Sequence, residues 1–344
     1  MTRRPLGDST TLAPVCAHRT RREFLGMAGV AGVTLTAACS GPGGSGSGSA
    51  GSGAVNVKHV FGETLLSAPP TRVVSAGLTE QDDLLAVGVV PIAVTTWFGE
   101  QPSGVWPWAR PELGGAQPAL LTLDNGIQIE EIARLKPDLI VAVNAGLDAE
   151  TYRKLSEIAP TIAQSGGEAF FEPWKDQATA IATAVFRKDE MSRRIDAVDQ
   201  RFSAVAQSNP SFTDRTAVLL DGHFAGDAVT ATIDGWRTDF LTAMGLAIPE
   251  SIKASPSNGG QAVIARDELA AAVDSADILI WCTDSDAEQT ALLADPAVAD
   301  LRATARKRNV FTPPELSAAI AFASPLSYPL VADQLPALLA RALG

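Results

Sequence analysis

The chain has 344 residues, 46% of them hydrophobic, with 27 Lys+Arg against 39 Asp+Glu and a formal net charge of −12. From Cys39 onward, 22 basic residues stand against 37 acidic ones. That balance excludes nucleic acid as a partner, because gripping a phosphate backbone needs a basic face.

The N-terminus comes first. Thr20-Arg21-Arg22-Glu23-Phe24-Leu25 resembles a twin-arginine export signal. The apolar stretch from Phe24 to Ala38 is too short to cross a bilayer, which takes about 20 residues, and it closes on small residues as a signal peptide does. Leu35-Thr36-Ala37-Ala38-Cys39 resembles a bacterial lipoprotein cleavage box, with Thr36 where Leu is usual. Residues 1–38 are expected to be a signal peptide and Cys39 the lipid-bearing first residue of the mature protein. Residues 39–53, almost all Gly and Ser, are expected to form a flexible tether. Acyl chains would hold the protein on the outer face of the cytoplasmic membrane. The tether would keep the folded body within reach of an embedded partner.

The body, roughly 290 residues, is long enough for two domains. A strand-like run, Arg72 to Ser75, leads into a helical stretch over Glu80 to Val87. Within it, the adjacent acids Asp82 and Asp83 point some 100° apart on a helix and read as a solvated first turn. Ile129, Ile132 and Leu135 fall on one helical face, Pro137 stops that helix, and the strand Leu139 to Val143 follows. Such alternation predicts α/β layers around mostly parallel strands. Lys188 to Gln207 carries an apolar stripe (Met191, Ile195, Val198, Phe202, Val205) at helical spacing, which predicts one long helix joining two lobes. The expected divisions are 54–187, 188–209 and 210–344. Internal echoes support two similar lobes: the approach to Leu139 is repeated before Ile278, and Asp83 to Val89 is repeated over Asp239 to Leu246. With Cys16 and Cys39 in the leader, Cys282 is left alone at the end of an apolar run and is expected in the core.

Aromatics concentrate in Trp97-Phe98-Gly99-Glu100-Gln101-Pro102-Ser103-Gly104-Val105-Trp106-Pro107-Trp108. Its Pro and Gly argue against a helix. It follows the apolar run Val89 to Val94, so it is expected beyond the carboxyl end of a strand, where open α/β sheets bind ligands. Indole rings give large contact area with few rotamers, and arginine pairs with anions or stacks on rings. Trp97, Phe98, Trp106, Trp108, Arg110 and Arg72 are therefore candidate ligand-binding residues on one wall. Trp236 and Arg237, expected at the start of a helix, are candidates on the other. Phe170 is a further candidate, whereas Trp174 begins a helical pattern and fits a core.

Arg72-Val73-Val74-Ser75, Asp83 to Val89, and Ile129-Glu130-Glu131-Ile132-Ala133-Arg134-Leu135-Lys136-Pro137-Asp138-Leu139-Ile140-Val141 resemble the substrate-binding proteins of ABC importers for ferric siderophores, haem and cobalamin. The similarity is to actinobacterial FecB-type lipoproteins and extends over Val55 to Gly344. It implies two Rossmann-like α/β lobes joined by one long helix, with cargo held in the cleft between them. It also implies delivery of a ferric siderophore to a membrane permease; the protein is expected to be a monomer. One carboxylate per lobe would dock on permease arginines: Glu130 in the first, and Asp267 or its neighbour Glu268 in the second.

A metal held directly by the protein is not expected. His18 goes with the leader, and His59 and His223 fall in different lobes with no cysteine pair to help. Iron should arrive already chelated; haem, with His223 as an axial ligand, is the alternative cargo, and a corrinoid another. No nucleotide-binding glycine fingerprint, nucleophile elbow or P-loop is present, so an enzyme is not expected.

Overall fold

The computed structural model describes residues 53–166 and 169–344. The expected signal peptide, Cys39 and the tether up to Ser52 lie outside them. Among the described residues no helix is long and apolar enough to cross a membrane.

The body opens with an antiparallel hairpin, β1 (Val55–His59) and β2 (Gly62–Leu66). The first lobe follows. Its strands are β3 (Val73–Ser75), β4 (Ala93–Thr95), β5 (Ala119–Leu121), β6 (Leu139–Ala142) and β7 (Thr161–Ala163), in the order β5-β4-β3-β6-β7 with every pair parallel. Helices α1 (Glu80–Ala86), α2 (Arg110–Leu113), α3 (Ile129–Leu135), α4 (Ala149–Ser156) and α5 (Trp174–Ala184) connect and cover them. Strands β3, β4, β6 and β7 are buried at every residue, as a parallel sheet covered on both faces requires. Helix α3 runs where its apolar spacing predicts, with Ile132 turned fully into the core. Lys136, in the left-handed region at φ 49°, ends it just before Pro137.

Helix α6 (Lys188–Ser208) spans 21 residues, about 30 Å at 1.5 Å per residue. Met191 packs into the first lobe's core, and Val198 and Phe202 into the second's. One apolar stripe thus serves both lobes.

The second sheet holds β8 (Ala217–Asp221), β9 (Ala228–Thr232), β10 (Gln261–Ala265), β11 (Ile278–Cys282) and β12 (Asn309–Thr312), ordered β10-β9-β8-β11-β12. Its helices are α7 (Asp239–Ala243), α8 (Glu250–Lys253), α9 (Leu269–Val273), α10 (Asp286–Ala294), α11 (Pro296–Ala299), α12 (Arg302–Ala305), α13 (Pro314–Phe322) and α14 (Tyr328–Leu343). The strand order repeats that of the first lobe, and the echoing strands β6 and β11 hold the same place in each. There is one difference. Strand β9 runs antiparallel to both β8 and β10, so it alone is reversed against the common direction of the sheet. The echo of α1 is therefore displaced: α7 follows the second strand of its lobe, whereas α1 follows the first. Cys282 ends β11 buried, and burial pushes its thiol above the usual range, as suits an inert core residue.

Trp174 crosses the expected division at residue 187. It begins α5 in the first lobe, yet its ring packs in the second lobe's core, 5.3 Å from the ring of Tyr328.

Candidate functional site: an aromatic seam between the lobes

The chain leaving β4 winds tightly. Gly99, Glu100, Ser103 and Gly104 all have positive φ, between 44° and 79°. This coil lays Trp106 across Gly99 so closely that a Cβ there would stand 2.6 Å from the indole's Cζ2. Only glycine fits both the conformation and the space. Trp106 and Trp108 then stack, with centroids 5.1 Å apart and planes 4° from parallel. Trp97 and Phe98 meet edge-on at 4.6 Å, and Phe98 reaches Trp106 at 5.4 Å.

Phe322, the last residue of α13, enters this group from the second lobe. Its ring lies 5.4 to 6.3 Å from those of Trp97, Phe98, Trp106 and Trp108. Phe171, at φ 59°, reaches Trp97 at 5.2 Å. The Arg237 guanidinium lies 5.0 Å from the Phe171 ring and 4.4 Å from that of Trp236. Trp97, Phe98, Trp106, Trp108, Trp236 and Arg237 thus gather at the seam, joined by Phe171 and Phe322. Beside Trp236 and Arg237, with Thr232, Gln261 and Ile320, lies a cavity of about 20 Å³, room for about one water.

Three expected residues sit elsewhere. Arg72 lies at the amino end of β3, opposite the carboxyl edge that carries the aromatics. Its side chain donates to the carbonyls of Lys136 (2.9 Å) and Leu135 (2.5 Å), capping α3. Arg110 is exposed in the first turn of α2, where it donates to the Val105 carbonyl (3.2 Å) and Gln101 Oε1 (2.7 Å). It braces the aromatic coil from outside. Phe170 is 37% exposed, its ring against Gly146; its neighbour Phe171 is the residue that turns to the seam.

Asp82 and Asp83 overturn the expectation of a solvated turn: they are 0% and 1% exposed. Asp82 Oδ2 accepts from Trp108 Nε1 at 2.8 Å and from Ser324 Oγ, in the second lobe, at 2.6 Å. Burial pushes Asp82 up to about 6 against the pull of those two hydrogen bonds. Glu80 is pushed up to about 7 by burial, although the N–H groups of Gly77 (2.9 Å) and Asn144 (2.7 Å) donate to it. Asp83 rises well above the usual carboxylate range through burial, offset in part by Gln177 and aggravated by Asp82, Glu80 and Glu172.

The expected docking acids stand exposed at matching places. Glu130 is in the first turn of α3, which follows the edge strand β5; Asp267 and Glu268 are in a 3-10 turn that follows the edge strand β10. His59 is buried at the hairpin, 3.0 Å from Thr64 Oγ1, and His223 lies in the β8–β9 connection. Among the described residues no group of three His, Cys, Asp or Glu is placed to hold a metal ion.

Comparison with known proteins agrees with this architecture. A family model described as "Periplasmic binding protein" matches residues 73–316. A solved periplasmic solute binding protein from Mycobacterium smegmatis is 63% identical with a TM-score of 0.80, over 85% of this chain and 99% of its own. YhfQ of Bacillus subtilis, named as an ABC transporter substrate-binding lipoprotein, is 30% identical over 239 residues, 67% of this chain and 69% of YhfQ. PiaA of Streptococcus pneumoniae, solved in complex with ferrichrome, is 25% identical with a TM-score of 0.70, over 84% of this chain and 98% of its own. These are binding proteins, not enzymes. With two α/β lobes, a spanning helix and an aromatic seam between them, the chain belongs to the periplasmic binding protein family.

Proposed function

We propose that this protein captures a ferric siderophore between its lobes and hands it to the permease of an ABC importer. The observation that carries this reading is the seam itself: indole and phenyl rings from both lobes converge beside Arg237. A ferric siderophore presents an apolar outline around an oxygen-rich, often anionic core. Rings suit the first and a guanidinium the second. The likeness to PiaA, solved with ferrichrome, supports a chelated-iron cargo. In this reading Cys39 carries the lipid that holds a monomer at the outer face of the membrane, and Glu130 with Asp267 or Glu268 meets the permease. Trp97, Phe98, Trp106, Trp108, Trp236 and Arg237 contact the cargo, with Phe171 and Phe322.

The test is a tryptophan-quenching titration with a panel of ferric siderophores, haem and cobalamin. Stoichiometric quenching by a ferric siderophore, with the chelate recovered unaltered, is the expected result. Quenching by haem alone, with a Soret shift lost in His223→Ala, would overturn it.

A further inference from the structure

The connections that leave the carboxyl ends of β3, β4, β5, β6 and β7 (residues 76–79, 96–109, 122–128, 143–148 and 164–173) hold no Lys, Arg or His. They do carry acids, Glu100 and Glu172 among them, and the first turn of α1 adds Glu80, Asp82 and Asp83. In the second lobe, the connections leaving β8, β10, β11 and β12 hold only His223 and Arg266, against Asp227, Asp267, Glu268 and Asp284. Arg266 is engaged at the edge strand β10. Its guanidinium donates to Asp227 (2.8 Å) and Asp295 and lies 3.9 Å from the Phe224 ring. Arg237 arrives from the β9–β10 connection instead, and among the described residues it is the one Lys or Arg whose charge lies over rings of the seam. Trp97, Phe98, Trp108, Trp236 and Arg237 are half-buried, so each keeps a surface that cargo can meet with the lobes as they stand.

We propose that the cargo is a ferric chelate whose iron core carries no net charge, with at most one outlying anionic group, set against Arg237. This rests on the aromatic seam being the cargo site. Three monoanionic bidentate groups, such as hydroxamates, just neutralise a ferric ion. Three catecholates, each a dianion, leave three negative charges. One guanidinium matches one anionic group, and the charges left over would face carboxylates from both lobes. Repulsion between like charges strengthens where water is excluded. Burial already works against charge on Asp82 and Asp83, and a polyanion beside them adds to that cost. An acidic rim also slows the approach of a polyanion from solution. A neutral core meets no such repulsion, and its apolar outline suits the rings.

The test titrates the full chain, by tryptophan quenching, with chelates of defined charge. Ferrichrome and ferrioxamine B have neutral trihydroxamate cores, and ferric enterobactin is a trianionic tricatecholate. The better hydroxamate is expected to bind at least about 100-fold more tightly than ferric enterobactin at low salt. Raising NaCl from about 20 mM to about 0.5 M shortens the screening length several-fold. It should leave ferrichrome affinity within twofold and strengthen the residual binding of ferric enterobactin. The sign of that response separates charge from size, because a chelate excluded by bulk alone would not gain from salt. Glu100→Lys removes an exposed acid from the aromatic coil. It should raise the affinity for ferric enterobactin several-fold and leave that for ferrichrome within twofold. Ferric enterobactin bound as tightly as the hydroxamates, or weakened by salt, would overturn this inference and leave the ferric-siderophore reading standing. Binding of none of the three would overturn both.

Discussion

The guanidinium of Arg237, in the second lobe, rests 5.0 Å from the ring of Phe171 in the first. With the Trp236 ring 4.4 Å away as well, the cation lies against two aromatic rings. A planar, delocalised charge tolerates this; a compact ammonium holds its hydration more strongly. Arg237→Lys is therefore expected to weaken ferric-siderophore binding about tenfold, roughly 1.4 kcal/mol, with little change in melting temperature. A quenching titration reads the affinity. Unchanged affinity would remove Arg237 from the cargo contacts.

Gly99 has φ of 79°, and a side chain there would meet Trp106 at 2.6 Å. Gly99→Ala must strain the backbone and dislodge the indole together. A loss of about 1–3 kcal/mol is expected from combined strain and overpacking. Thermal melts should register it, along with increased acrylamide quenching. A variant as stable as wild type would show that Trp106 has room to move.

Asp83 is buried among Glu80, Asp82 and Glu172, and burial holds its carboxyl well above the usual carboxylate range. The folded state therefore binds its proton more tightly than the unfolded chain. The resulting stability is fully present below the unfolded pKa and is lost as pH rises through the folded one. Asp83→Asn keeps an acceptor for Gln177 and removes the charge. It should stabilise the protein by about 1–3 kcal/mol at pH 8 and by progressively less towards pH 4. Urea melts across that range check it; a gain that grew towards acid would contradict the sign.

Glu130 is exposed, in the first turn of α3, with Glu131 beside it paired to Arg134 at 2.5 Å. Reversing its charge touches nothing in the seam. Glu130→Arg is expected to abolish uptake by intact cells while leaving siderophore affinity within twofold of wild type. Weakened binding with normal transport per bound chelate would refute a docking role for this acid.

How much of this was legible in the sequence follows from the range of the interactions. The stripe on Lys188–Ser208 and the face on Ile129–Leu135 are set by residues three and four apart, and both helices appear where that spacing puts them. The aromatic coil was visible as a run of rings broken by Pro and Gly. The buried acids were not. Adjacent carboxylates near a helix start read as dipole partners in water, and nothing local announces that Ser324, 242 positions away, arrives on Asp82. Phe322 was hidden because Pro314–Phe322 is buried along most of its length and reads as plain core. The one available signal was Pro325, which follows the helix end at Phe322 and marks a turn worth placing. Arg72 was misplaced because it precedes β3, whereas the aromatics follow the carboxyl end of β4, at the other edge of the sheet.

The ring of Trp174 sits inside the interior of a lobe to which its own helix does not belong. A fragment ending at residue 187 would expose that indole, and a fragment beginning at 188 would carry a hole of its size. Neither half is thus a self-sufficient folding unit. Heating should melt the molecule in a single cooperative step, and two separately expressed halves should be recovered folded only when they are made together.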